Sequence, residues 1–209
     1  MEKPSLEKKD ERKIVNEMAQ SIISSKPHGL KSVHKHVNLS RRGFVEVWQG
    51  WFHAKTIPQL EVDLITVYEE QDLEPFIMAT EVKYFKQKRG RNFYEGLQQI
   101  LAFGLFGFDA LSLLHIFPRE SEDDYIQAST KATQEIIERF RLPVTFIAGK
   151  YLRKGQIRCY FPVQLGENSA DYVMSWTKNL CSEKRNPAVR DQEVVKRRKT
   201  LKVLLKIPA

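Results

Sequence analysis

Cysteine is scarce in this chain: Cys159 and Cys181 are the only two among 209 residues. Two thiols make at most one bridge and cannot furnish a four-thiolate zinc site, so a disulfide-scaffolded secreted domain is excluded. A reducing compartment, the cytoplasm, fits better. Glycine and proline are also sparse, at 10 and 9 residues, which excludes collagen-like and Pro/Gly-rich low-complexity chains. Long uninterrupted apolar sequence is missing too. The longest candidate, residues 100–117, is broken by Gly104, Gly107, Asp109, Ser112 and His115, and a charge at the bilayer centre is costly. No membrane partner is expected. The first thirteen residues are charged and lack the apolar segment of a secretory signal.

What the chain does contain is enough apolar material, 42% hydrophobic and 11% aromatic, for one sizeable core. Its net charge of +8 is unevenly spread. Residues 182–206 hold nine Lys/Arg against Glu183, Asp191 and Glu193, which leaves +6 there and only +2 elsewhere. Such a distribution suits a polyanionic partner.

Hydrophobic spacing predicts a first helix over residues 5–25, where Ile14, Val15, Met18, Ala19, Ile22 and Ile23 recur every three to four positions. A polar stretch with His28, His34 and His36 follows, and residues 44–52 then read as a strand. Residues 61–68 and 76–85 form a hairpin candidate around an acidic loop, 93–108 a buried helix, and 110–117 a buried strand. A polar helix at 122–141 and two strands at 144–151 and 156–163 complete the series, with a C-terminal stretch helical from 189 to 205. The order α-β-β-β-α-β-α-β-β predicts an α/β fold, a mixed central sheet flanked by helices.

With the hairpin centred on Asp72, cross-strand partners sum to 144. Asp63 then faces Glu81, Glu61 faces Lys83 and Ile65 faces Ala79. Residues two apart share a face, so Asp63, Glu81 and Lys83 converge at the open end of an otherwise apolar hairpin. Two adjacent carboxylates repel unless a cation lies between them, and hard oxygen ligands favour Mg²⁺ or Mn²⁺. Such a set has the parts for metal-assisted phosphodiester hydrolysis. The plainer alternative is a salt-bridge ladder at a strand end.

Asp63, then Glu81-Val82-Lys83, then a helix bearing Gln98-Gln99-Ile100-Leu101-Ala102-Phe103 and a strand after Gly107-Phe108-Asp109, resembles the PD-(D/E)XK (restriction-endonuclease-like) nuclease superfamily. Glu11-Arg12-Lys13-Ile14-Val15 is similar to the first-helix segment of archaeal Holliday-junction resolvases within it. The resemblance covers roughly residues 5–117. It implies an αβββαβ core; residues 118–181 exceed that core and read as a C-terminal α/β extension within a single domain over 1–181, and the charge distribution marks 182–209 as a basic tail. It further implies metal binding by Asp63, Glu81, the Val82 carbonyl and Glu11, with Lys83 assisting the attacking water. Val62 stands where the namesake Pro would precede the first acid, and Phe103 where a Gln-x-x-x-Tyr motif would have Tyr. Gln99 is the site candidate, with Gln98 as the alternative. An archaeal or archaeal-viral source would follow from the same likeness.

Glu17 competes with Glu11, but Glu11 shares the apolar stripe of Val15, Met18 and Ile22. His34 and His36 lack a third ligand at suitable spacing and read as a solvated loop. Trp48 and Trp51 read as core aromatics rather than base-stacking platforms. Lys86, Lys88, Arg89 and Arg91 follow the Glu81 strand as a phosphate-positioning loop, and Lys196, Arg197, Arg198 and Lys199 suit nonspecific phosphate contact. The expected function is a divalent-metal-dependent endonuclease acting on DNA, with branched or junction DNA as a candidate substrate. A homodimer is expected because two symmetric sites suit cutting two strands. The rival classes are an inactive nucleic-acid-binding protein on the same fold and an interaction or assembly protein.

Overall fold

The computed structural model describes residues 6–39, 49–50, 60–70, 74–85, 94–164 and 166–207. Seven strands form one sheet in sequential order: β1 (Leu30–Asn38), β2 (Glu61–Tyr68), β3 (Phe76–Tyr84), β4 (Ala110–Phe117), β5 (Thr145–Arg153), β6 (Gln156–Phe161) and β7 (Glu167–Ser169). The β3–β4 and β4–β5 pairs are parallel and the other four antiparallel. The fold is therefore α/β with a mixed sheet and flanking helices.

Helices cover both faces. On one lie α1 (Leu6–Ser25) and α4 (Ala170–Glu183), which bury Val15, Met18, Ile22, Val173 and Met174 against Leu64, Met78, Val82 and Leu114 of the sheet. On the other lie α2 (Leu97–Phe103), α3 (Asp123–Arg139) and α5 (Gln192–Leu204), packed on Ile65, Ile77, Ala79, Leu113 and Phe146. This double cover explains why β2, β3 and β4 are nearly continuous apolar runs: both faces of each are removed from water.

Several expectations shift. β1 occupies the His34–His36 stretch expected as a loop; as an edge strand with half-exposed positions it does without the apolar alternation that marks a buried strand. Of the strand expected at 44–52 only Gln49 and Gly50 are described, and both are helical; Trp48 and Trp51 lie outside the described residues. The helix expected over 93–108 is α2 followed by a 3₁₀ turn at Gly104–Phe106. β7 and α4 had no counterpart in the sequence reading.

Residues 187–207 are not a detached tail. Leu201, Leu205 and Ile207 belong to the core of the α2–α3 face. Asp191 caps α5 by accepting hydrogen bonds from the Glu193 and Val194 N–H groups. Arg198 enters the protein rather than facing solvent: it is 8% exposed and donates to Asp109 Oδ2 at 2.8 Å, Gly107 O at 2.8 Å, Pro75 O at 2.7 Å and Glu74 Oε2 at 3.2 Å. Gly107 has φ +91°, and a Cβ there would sit 2.6 Å from the Arg198 Cβ, so α5 docks only because this residue has no side chain. Both cysteines are buried and free, and burial pushes their thiols up to about 12. No described helix is long and apolar enough to cross a membrane.

Candidate metal centre

The β2–β3 ladder runs from Tyr68↔Phe76 to Leu64↔Thr80, a register in which partner numbers sum to 144. One step further, Asp63 lies across from Glu81, and there the ladder gives way to a side-chain contact: Asp63 Oδ2 accepts the Val82 N–H at 2.9 Å. Asp63, Glu81 and Lys83 share parity with Ile65, Ile77 and Ala79, hence the α2–α3 face. All three lie where β2 begins and β3 ends, at one edge of the sheet.

Lys83 is the hub of the cluster. Its Nζ stands 2.6 Å from Glu81 Oε1 and 3.7 Å from Glu11 Oε1. Glu11 reaches in from α1 and accepts the Tyr84 N–H at 3.2 Å through Oε2. Glu17, its competitor along the helix, instead lies 3.9 Å from Lys13. From the other face α2 closes on the lysine stem. Gly96 permits this: a Cβ there would lie 3.0 Å from Lys83 Cγ and 2.9 Å from Leu113 Cδ1. Gln99 donates to the Glu61 carbonyl at 3.1 Å, while Gln98 is exposed, so Gln99 is the one that borders the cluster.

Charge is not balanced here: Glu11, Asp63 and Glu81 share one ammonium. Glu81 is fully buried, and no described residue hydrogen-bonds its Oε2. Burial, reinforced by the neighbouring Glu11 and Glu61, pushes Asp63 up to about 7 against the pull of Lys83 and the Val82 N–H. Burial and then Asp63 raise Glu81 well above the carboxylate range. Burial alone would lower the Lys83 ammonium, but Glu81, Glu11 and Asp63 outweigh it and raise it, so Lys83 stays charged.

A histidine dismissed at the sequence level also borders this place. The pairs Lys35↔Leu64 and Val37↔Val62 leave His36 opposite Asp63, with the backbone at φ 50°. Its Nδ1 is 3.6 Å from Glu61 Oε1, and one ligand atom each from His36, Glu61 and Asp63 lies within 4.8 Å of the others. This set could hold a metal ion. Burial, followed by the Arg12 charge, lowers the His36 pKa and keeps its ring available as a neutral ligand. The signal was hidden because the third partner is Glu61, visible only once β1 is paired with β2. The floor is apolar: His115, across β4 from Lys83, lies between Phe85 and Phe146, and burial lowers it to about 3, so it is neutral.

The expected phosphate contacts divide. Lys86, Lys88, Arg89 and Arg91 lie outside the described residues. Lys196 and Lys199 are exposed, Arg197 donates to the Leu105 carbonyl at 3.3 Å, and Arg198 is buried. Arg198 is thus no surface phosphate contact. The α5 helix sits by Pro75, Gly107 and Asp109, which precede β3 and β4, so its cations lie at the opposite edge of the sheet from Asp63 and Glu81.

No protein-family model matches the chain, and no curated protein or solved structure matches it either.

Proposed function

We propose that the protein is a divalent-metal-dependent nuclease of the restriction-endonuclease-like class, hydrolysing DNA phosphodiester bonds. The observation that carries this reading is Glu81: a fully buried carboxylate opposite Asp63, with one oxygen on Lys83 and the other without a donor among the described residues. A buried carboxylate of this kind is costly unless a cation completes it. The donor set fits Mg²⁺ or Mn²⁺, which take carboxylate and carbonyl oxygens. Asp63, Glu81 and Glu11 would hold it, with the carbonyl of Val82, which in a strand projects from the same edge as its N–H; Asp63 is shared with the tighter set, in which one ligand atom each from His36, Glu61 and Asp63 lies within 4.8 Å of the others. Bound there, the ion supplies electrophilic polarisation of a phosphoryl oxygen and acidifies water.

The chain's own residues do the rest. Lys83, held charged by its three acids, donates to the attacking water or to the phosphate oxygen that gains negative charge, and does not act as a general base. Gln99 fixes the start of β2 through the Glu61 carbonyl and thereby the position of Asp63. The Phe85, His115 and Phe146 floor limits water behind Lys83. The Glu11-Arg12 likeness makes branched DNA one candidate substrate beside linear DNA, and a homodimer would present two such sites; sedimentation at micromolar concentration checks the latter.

The test is cleavage of linear, single-stranded, flapped and four-way-junction DNA. Mg²⁺ or Mn²⁺ should support hydrolysis, Ca²⁺ binding with little turnover, and Glu81→Gln should abolish cleavage. Turnover that survives chelation, or an active Glu81→Gln protein, overturns the reading.

A further inference from the structure

A second polar feature lies at the same edge and on the same face of the sheet. The parallel strands β3, β4 and β5 all end there, the side of an open α/β sheet where ligands are bound. Beyond the ends of β4 and β5 and the start of β6, Arg119, Lys150, Arg153, Gln156, Arg158 and Glu167 line a recess of about 290 Å³. Lys83, His115 and Ala148 lie in one row across β3, β4 and β5, and Lys150 stands two residues further along β5, on the same face. Two strand spacings across and two residues along place it about 12 Å from Lys83. That is the rise of three to four nucleotides, at about 3.4 Å each.

Four cations converge on the recess, and two acids answer them. Asp123 accepts from Lys150 and, at 2.8 Å, from the Tyr160 hydroxyl. Glu167 accepts from Arg158 at 2.9 Å. Among the described residues Arg153 donates only Nε, to the Gln156 side-chain oxygen at 3.1 Å, and Arg119 is exposed. The guanidinium forks of Arg119 and Arg153 thus remain to meet an oxyanion, and such forks suit phosphate. The described lining takes none of its cations from the basic C-terminal segment.

We infer that this recess binds a phosphate of the nucleic-acid strand whose phosphodiester is cut at Asp63, Glu81 and Lys83, and so sets which bond is cut. The inference rests on the nuclease reading for its substrate, but the recess can be tested without cleavage. The bound group is either an internal backbone phosphate or a terminal phosphomonoester; the chemistry of recognition is shared.

The experiment measures anisotropy of labelled single- and double-stranded oligonucleotides with the full chain in Ca²⁺, across a salt series. Arg119→Gln/Arg153→Gln alters two exposed side chains; Arg139→Gln/Arg141→Gln removes the same charge at the opposite edge. The first should weaken binding and lower the log–log salt slope by about 1.4 on single strands and about 1.8 on duplex, while the second leaves the slope unchanged. Equal slopes in both variants, or no affinity in the unsubstituted protein, overturn the inference. A binding preference for 5′- or 3′-phosphorylated ends that disappears in the first variant identifies a terminal phosphate; equal loss on hydroxyl-ended strands identifies the backbone. Binding as described without Mg²⁺-dependent cleavage sinks the nuclease reading and leaves the recess standing. Cleavage by the first variant with unchanged KM sinks the recess and leaves the nuclease.

Discussion

Two buried clusters of charge sit at opposite ends of the same strands, and they are built on different terms. At the end where β3 and β4 begin, Arg198 meets Asp109, Glu74 and two backbone carbonyls, and Asp109 also accepts the Ile77 N–H at 2.6 Å. Neither residue has a buried polar atom left over. At the end where β3 finishes, Glu11, Asp63 and Glu81 crowd one ammonium, and Glu81 keeps a buried oxygen without a donor among the described residues. The first cluster is complete within the protein. The second is short of positive charge, a shortfall that the proposed cation would relieve.

Breaking the complete cluster should have the larger effect. Deleting residues 192–207 strips Leu201, Leu205 and Ile207 from the core and leaves Asp109 buried without its guanidinium. That variant should show no cooperative transition in urea. Arg198→Ala alone should cost about 3 to 5 kcal/mol, the range for removing one partner of a buried pair, read as a fall in urea midpoint at constant m-value. Gly107→Ala should cost about 1 to 3 kcal/mol, since the new methyl meets the Arg198 Cβ and the positive φ disfavours it.

The incomplete cluster should respond to ligand more than to mutation. Saturating Mn²⁺ should raise the thermal midpoint of the unsubstituted protein, with about 2.7 kcal/mol gained at a hundredfold excess over Kd. Glu81→Gln should lose most of that gain while changing the metal-free stability by no more than about 1 kcal/mol, because burial and Asp63 already push Glu81 toward the neutral form that the amide mimics. A Glu81→Gln protein as crippled as Arg198→Ala would erase the distinction between the clusters. The smallest effect is on pH dependence. Asp63 titrates near 7 when folded against 3.8 ordinarily, so between those values the native state binds the extra proton. Metal-free stability should therefore decline as pH rises from about 4 to about 7, and denaturation of Asp63→Asn across that window should show a flatter profile.

How legible each cluster was in the sequence differs as well. The hairpin register and its 144 sum followed from centring the turn on Asp72, in the acidic loop between two apolar runs, and with it the placement of Asp63, Glu81 and Lys83. The Arg198 cluster was illegible: in Lys196-Arg197-Arg198-Lys199 nothing distinguishes the buried side chain from its solvated neighbours, and its partners lie 89 to 124 residues away. His36 was lost for a related reason. Ser, His and Lys fill β1 because an edge strand is half wet, and only the β1–β2 pairing places the ring opposite Asp63.

The docking of α5 also has a kinetic side. The hairpin that carries Asp63 and Glu81 closes over pairs 8 to 16 positions apart, whereas Arg198 closes loops of 89 and 124 residues to Asp109 and Glu74. Loop-closure entropy makes the first inexpensive early and the second reachable only after the sheet has assembled. Substitutions at the α5 contact should then speed unfolding far more than they slow refolding, so the helix behaves as a latch that governs how long the native state persists once formed.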